Sequence, residues 1–313
     1  MQFDWPTPDQ MIYRITRLRR LVAFAVAIPV CVFLIGSLID PSFMAPDRAT
    51  LASIAVALLV GGHVVLFPNA PVETISLSLV VTGLAVAAPW IKALSLLAPV
   101  EHASAALVIL VALSMLLAGF LMAVLQFVFD VLMSVGPSIR LRLRAAIDVP
   151  CSASVARNQF ALQPGTRRGR IMTGKPDDNG FFDVAIVAPQ VADPENPTQP
   201  MVAHVAAKTL ALTETEQQTM LVVPGGGVTV TSETFVPTEN GCTVQISELP
   251  GDFTLGMHLM FWLTDQQMDN LTETADMITG QPSRANGLAH GVSFLSVANA
   301  VLSPRPPVVD GAD

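Results

Sequence analysis

Four long apolar runs within the first 135 residues constrain this chain more than any other feature. They cover about residues 21–39, 51–67, 75–97 and 104–133. Roughly 20 apolar residues cross a bilayer core as a helix, because a helix satisfies its own backbone where water is absent. The first run, LVAFAVAIPVCVFLIGSLI, contains Pro29, a kink that a spanning helix tolerates. It is too long for the apolar part of a cleaved leader, and no A-x-A site follows it. Of the 313 residues, 51% are hydrophobic and only 13% charged, a balance that soluble globular chains rarely reach.

Charge at the ends of the runs predicts their orientation. Arg14, Arg17, Arg19 and Arg20 precede the first run, and Arg140, Arg142 and Arg144 follow the last. The connection at 40–50 holds Arg48 beside Asp40 and Asp47, and that at 98–103 holds Glu101 with no Lys or Arg. Four spans put both termini on one side, and the basic flanks make that side the cytoplasm. The expected location is an inner (plasma) membrane of bacterial type. One connection strains this reading: PNAPVET at 68–74 belongs on the cytoplasmic side yet has no Lys or Arg. Within the runs, His63 stands alone beside Gly61 and Gly62 and reads as a helix-packing group. Asp130 reads as an interfacial carboxylate, exposed or paired with Arg140 or Arg142. Without paired charges the four helices read as an anchor or partner-binding bundle, not a transport path.

Net charge is −8, and past residue 210 the only Lys or Arg are Arg284 and Arg305. With no basic stripe, nucleic acid is excluded as a partner. Cys31, Cys151 and Cys242 are far apart and read as free thiols. No metal or other cofactor is indicated.

After Pro137 the periodicity changes to two. Residues 141–150 alternate as a half-buried strand, and a short helical stretch follows to Gly165. GRIMTGKP, residues 169–176, departs by one residue from the phosphate-binding pattern G-x-x-x-x-G-K-[ST]. That loop needs a hydroxyl after its Lys and a helix starting there. Pro176 and the turn Asp178-Asn179-Gly180 supply neither, so Lys175 reads as a solvated residue beside a hairpin turn. Strands are expected at 181–188, 201–212, 216–223, 228–236 and 242–249, joined by tight turns, the meander of an antiparallel sheet. Three glycines at 225–227 read as one of those turns. Residues 253–280 carry an apolar stripe at helical spacing, and Thr264 with Gln267 fits a capping box that would break this helix in two. Residues 281–313 form an extension with a second helical stripe from Leu288 to Leu302.

One early strand, a short helix, a meander and a closing helix resemble the START/Bet v 1-like superfamily, often called SRPBCC. AIDVPCSASVARNQF, TSETFVPTENGCTVQISEL and the helix ending at Gly280 carry the resemblance. It spans about residues 141–280, with VADPENPTQP as an insertion. The resemblance implies a curved antiparallel sheet gripping the last helix (a helix-grip fold) around an apolar cavity. The fold class is therefore a four-span membrane α-helical bundle plus a soluble α+β domain. Its parts are a basic tail at 1–20, spans within 21–136, the helix-grip domain at 137–280 and the extension at 281–313. A Met-rich helix facing a concave sheet makes an adaptable apolar pocket. Met257, Met260, Phe261 and Met268 are expected on one wall, and Val228, Val230, Val244 and Ile246 on the other. His204 and His258 read as solvated or satisfied.

G-x-S-x-G, H-E-x-x-H and Ser/Cys–His pairs are absent, so no catalytic residue is assigned. The leading expectation is a membrane-tethered module whose cytoplasmic domain holds a lipid, quinone or similar apolar molecule. The alternatives are a structural or regulatory subunit bound to a membrane-protein partner, and a cyclase or hydrolase.

Overall fold

The structure, a computed structural model, describes residues 5–41, 44–95, 103–168, 171–192, 200–223, 227–281 and 283–285. It divides after Leu132 into two compact units.

The first unit is helical. Its opening helix, α1 (Pro8–Arg17), falls where the sequence reading has only a basic tail. Thr7 and Gln10 form a reciprocal capping box at its start, and Pro8 occupies the first helical position. Four longer helices follow: α2 (Arg19–Ile39), α3 (Pro46–Leu66), α4 (Pro71–Ser95) and α5 (Ala103–Ser134). Each contains a stretch long and apolar enough to cross a membrane, at the places the four runs predict. Pro29 lies inside α2 without ending it. Ala25 and Phe33 of α2 pack against Ala49, Val56 and Val60 of α3, and Val80 of α4 packs with Ala118 and Met122 of α5.

Two expectations for this unit change. His63 does not stand alone. Its Nε2 lies 3.0 Å from Glu73 Oε1 and its Nδ1 3.1 Å from Thr74 Oγ1, with His63, Glu73 and Thr74 all buried. The sequence reading stopped at the ends of the apolar runs, so it left Glu73 and Thr74 in a loop, whereas they form the first turn of α4. The connection between α3 and α4 is not without positive charge either. Arg17 Nη2 donates to Pro68 O at 2.8 Å, and Arg14 donates to Val65 O. Asp130 is exposed, as expected.

The second unit is one antiparallel sheet of eight strands: β1 (Leu143–Val149), β2 (Arg167–Arg168), β3 (Ile171–Thr173), β4 (Phe181–Ala192), β5 (Pro200–Leu212), β6 (Glu216–Val222), β7 (Val228–Thr238) and β8 (Gly241–Leu249). Their order is β1-β8-β7-β6-β5-β4-β3-β2, so the first strand pairs with the last and the others run as a meander. A short helix, α6 (Ala153–Phe160), bridges β1 and β2, with Ser152 as its N-cap. In the stretch read as a failed phosphate loop, Gly169 and Arg170 lie outside the described residues. Residues 171–173 are strand, and Asp177 Oδ1 accepts from the backbone N–H groups of Asn179 and Phe181, shaping the turn. Gly180 takes the positive φ (79°) that this turn needs. Most of VADPENPTQP, two of the three glycines at 225–227 and the helical stripe at 288–302 also lie outside the described residues.

The closing helix is broken, as expected, but not by a capping box. It consists of α7 (Leu255–Thr264) and α8 (Gln266–Thr279), with Asp265 between them in the left-handed conformation (φ 49°). Thr264 Oγ1 bonds back to Met260 O, and Gln267 turns its amide to Glu248, so neither is left to cap. Gly280 ends α8 in the left-handed region, as its position predicts.

α8 lies on the sheet. Leu271 and Ala275 meet Phe235, Val244, Cys242 and Val149, and α6 adds Ala156 and Phe160. Phe235 is completely buried at the centre of this cluster. Phe235→Ala is expected to destabilise the unit by about 3–5 kcal/mol, measured by denaturant unfolding of the purified chain followed by near-UV circular dichroism.

Candidate functional site

Alternation along β7 and β8 sets the site. Register pairs Phe235 with Val244, Glu233 with Ile246, and Thr231 with Glu248. Side chains two apart share a face, so Thr229, Thr231, Glu233 and Phe235 all point the same way as Val244, Ile246 and Glu248. At the Phe235 end that face is filled by α8. Beyond it the packing stops, and a cavity of about 290 Å³ opens between α8 and the sheet.

The apolar part of the cavity wall includes Ile171, Ile186, Leu221 and Ile246, with Leu271 and Met277 on the α8 side. The polar part holds Arg168, Glu233, Glu248 and Glu273, joined by Gln267, Asn270, Thr231 and Thr274. Glu233 is 6% exposed. Its cross-strand neighbours are Ile246 and Gln217. Gln217 has its amide nitrogen committed to Leu162 O at 2.7 Å and Thr219 Oγ1 at 3.3 Å. The Glu233 carboxyl therefore has no hydrogen-bond partner among the described residues. Burial pushes its pKa up to about 8, against a smaller opposing pull from Arg168. Glu248 is also raised by burial, offset in part by the 3.0 Å bond from Gln267 Nε2 to its Oε2. Burial lowers Arg168, while Glu233 and Glu273 hold it up. Its guanidinium donates to Gln159 O.

Of the eight residues expected to line a pocket, the cavity wall contains Ile246. Val244 is buried beside it in the core. Met268 packs on that core from the start of α8. Met257, Met260 and Phe261 lie on α7, where Phe261 meets Phe253 edge-on at 4.7 Å. Val228 and Val230 are out of phase with Phe235 and belong to the opposite face of β7. The structure thus does not gather these eight around one cavity. His204 is exposed and pairs with Asp183 at 2.9 Å, and His258 is buried with Nε2 2.7 Å from Ile139 O. His204 is satisfied at the surface, as expected, whereas the Nδ1 of His258 is buried with no hydrogen-bond partner among the described residues.

Sequence reasoning missed Glu233 and Glu248. A signal was present: Glu248 continues the alternation Cys242, Val244, Ile246, and Glu233 is two residues from Phe235. Neither is singled out in the sequence, since charged residues are seldom buried.

No family model matches the chain, and no curated protein matches it. Solved structures similar to part of it include protein CV1439 from Chromobacterium violaceum, at 13% identity over 44% of this chain and 96% of that one, with a TM-score of 0.32. The di-domain ARO/CYC StfQ from the steffimycin biosynthetic pathway is similar at 10% identity over 57% of this chain and 60% of that one, with a TM-score of 0.31. A norcoclaurine synthase point mutant from Thalictrum flavum is similar at 12% identity over 47% and 98%, with a TM-score of 0.29.

The raised pKa of Glu233 has a consequence for stability. The folded chain holds this proton up to about pH 8, whereas an exposed glutamate releases it near pH 4.3. Between those values the folded state binds more protons than the unfolded state, so stability falls as pH rises. Glu233→Gln removes that slope. Melting curves of the full chain from pH 5 to pH 8 are expected to show the variant gaining on the wild type as pH increases.

Proposed function

We propose that this chain is a membrane-tethered binding module whose sheet unit holds a small, mainly apolar molecule. One observation carries the reading: the interface between α8 and the sheet is filled at one end and open at the other. A folding core alone gains nothing from a cavity there, since unfilled space costs stability. Concave, mostly apolar sites with a few polar groups are the usual form of small-molecule pockets.

The tether rests on α2–α5. Many of their large apolar side chains face outward, among them Leu38, Leu58, Leu116 and Phe127. Such a surface suits hydrocarbon and would aggregate in water. Both termini lie in the cytoplasm on this reading. Arg14 and Arg17 of α1 bring to the α3–α4 connection the positive charge that its own residues lack. On this reading a lipid, quinone or similar apolar molecule from the bilayer is the ligand of the tethered sheet unit.

Native mass spectrometry of the full chain, released gently from membranes, tests this. A co-purifying small molecule is expected on the wild type and absent from Ile246→Trp, in which the indole fills the cavity. A wild type that carries nothing and takes up no apolar probe counts against the module.

A second reading is a subunit docked on a larger membrane complex, and α7 favours it. Leu255, Leu259 and Trp262 are exposed along one side of that helix. Within the sheet unit the start of α7 is fixed by Thr254, which donates to Met133 O, and by Ile139 N, which donates to Phe253 O at 2.8 Å. An exposed apolar stripe of this kind suits a partner protein. On this reading, affinity purification in mild detergent yields a stoichiometric partner that Leu259→Glu with Trp262→Glu releases. Purification of the chain alone favours the binding module.

A further inference from the structure

We infer that the cavity is built for a small organic cation, its apolar body among Ile186, Leu221 and Ile246 and its ammonium group against the Glu233 carboxylate. This rests on the reading of the cavity as a ligand site, and it names the class of ligand.

Charge is the first support. Among the described residues the wall carries the carboxyl groups of Glu233, Glu248 and Glu273 and the guanidinium of Arg168. The guanidinium already donates to Gln159 O and feels Glu233 and Glu273, so it is engaged within the wall. The Glu233 carboxyl gains a negative charge when its proton leaves, and a cation meets that charge directly.

Satisfaction is the second. A buried polar group without a partner costs free energy, and buried groups in native proteins are paired with few exceptions. Glu248 receives Gln267, whereas Glu233 receives no donor from any described residue. Its side chain lines the open space. Among the described residues no group of three or more His, Cys, Asp or Glu is placed to hold a metal ion. The space of about 290 Å³ has room for roughly ten water-sized groups at ~30 Å³ each. Most of those would lie against isoleucine and leucine, which water does not wet well. An ammonium group on a short hydrocarbon body satisfies both walls.

Proton balance follows. Near neutral pH the empty site keeps Glu233 protonated, as its pKa of about 8 requires. An incoming ammonium group displaces that proton to solvent and leaves a carboxylate–ammonium pair. The groups facing Glu233 are Arg168 from β2, Glu248 from β8 and Glu273 from α8. Because the proton must leave, affinity for the amine rises with pH up to about 8.

The test is calorimetric titration of the full chain in lipid nanodiscs, with empty nanodiscs subtracted. The probes are 3-phenylpropylamine, 3-phenylpropanol and 3-phenylpropanoate, matched in body and different in charge. The amine is expected to bind at least ~10-fold tighter than the alcohol, with the carboxylate weakest. Repetition at pH 6.5 in two buffers of different ionisation enthalpy is expected to show about one proton released per amine bound and none per alcohol. Glu233→Gln keeps the size of the group and removes its charge. It is expected to bind the alcohol as before while losing the preference for the amine and the proton release. Alcohol or carboxylate binding as tight as the amine overturns the inference and leaves the ligand site standing. Failure of all three probes overturns both. Amine binding that survives Ile246→Trp puts the amine elsewhere and overturns the inference as well.

Discussion

The contact of Leu271 and Ala275 with Phe235 and Val244 is the one on which the rest of the sheet unit depends. A helix of 14 residues such as α8 is marginal by itself in water. The concave face of the sheet is equally unstable if left wet. Each meets the need of the other, and full burial of a leucine or phenylalanine there contributes roughly 1.5–3 kcal/mol. α6 joins the same cluster through Ala156 and Phe160, which is why the early strand β1 and its short helix lie beside the last strand, not the second. The same contact fixes the rotation of α8. With Leu271 and Ala275 turned to the core, Asn270, Thr274 and Met277 must turn toward the cavity.

The helical unit answers a different constraint. Its interior holds polar groups that can be kept there only in pairs. Glu73 is completely buried, and His63 meets its carboxylate directly. Thr74 serves His63 on one side and Ala70 O on the other. Ser78 donates to Ala25 O at 2.5 Å, bonding α4 to the backbone of α2. These bonds fix which faces of α2, α3 and α4 meet, a choice that interchangeable leucines and valines leave open. Arg14 and Arg17 extend the network to α1, and their bonds to Val65 O and Pro68 O satisfy carbonyls that the end of α3 leaves without helical partners.

How much of this was legible follows from the kind of signal each feature leaves. The spans could be read because a run of apolar residues needs no partner to be recognised. The meander could be read because Asp-Asn-Gly and Glu-Asn-Gly mark turns whatever lies around them. Helix α1 was hidden because its caps, Thr7 and Gln10, are separated from any apolar run. The His63–Glu73 pair was hidden because its members lie on different helices. The wall of the cavity was misplaced for a third reason. Val228 and Val230 are the apolar residues in the first half of β7, and choosing the inner face there by hydrophobicity selects them. The inner face is set by Phe235, and carrying its phase back along the strand gives Glu233, Thr231 and Thr229.

That phase also explains why the cavity stays open. Along β7 a single face changes from Phe235, completely buried in the core, to Glu233, buried with no hydrogen-bond partner among the described residues. Collapse of α8 onto Glu233 would press a carboxyl into apolar surroundings and cost more than the contacts would return. The neighbours of Glu233 do not relieve it, because Gln217 is held by Leu162 O and Gln267 by Glu248. Among the described residues these bonds leave Glu233 lining the cavity with Arg168 as its charged neighbour and without a hydrogen-bond partner. The feature that costs the fold stability is the same one that keeps a site available, and the filled half of the interface supplies the burial that makes this tolerable.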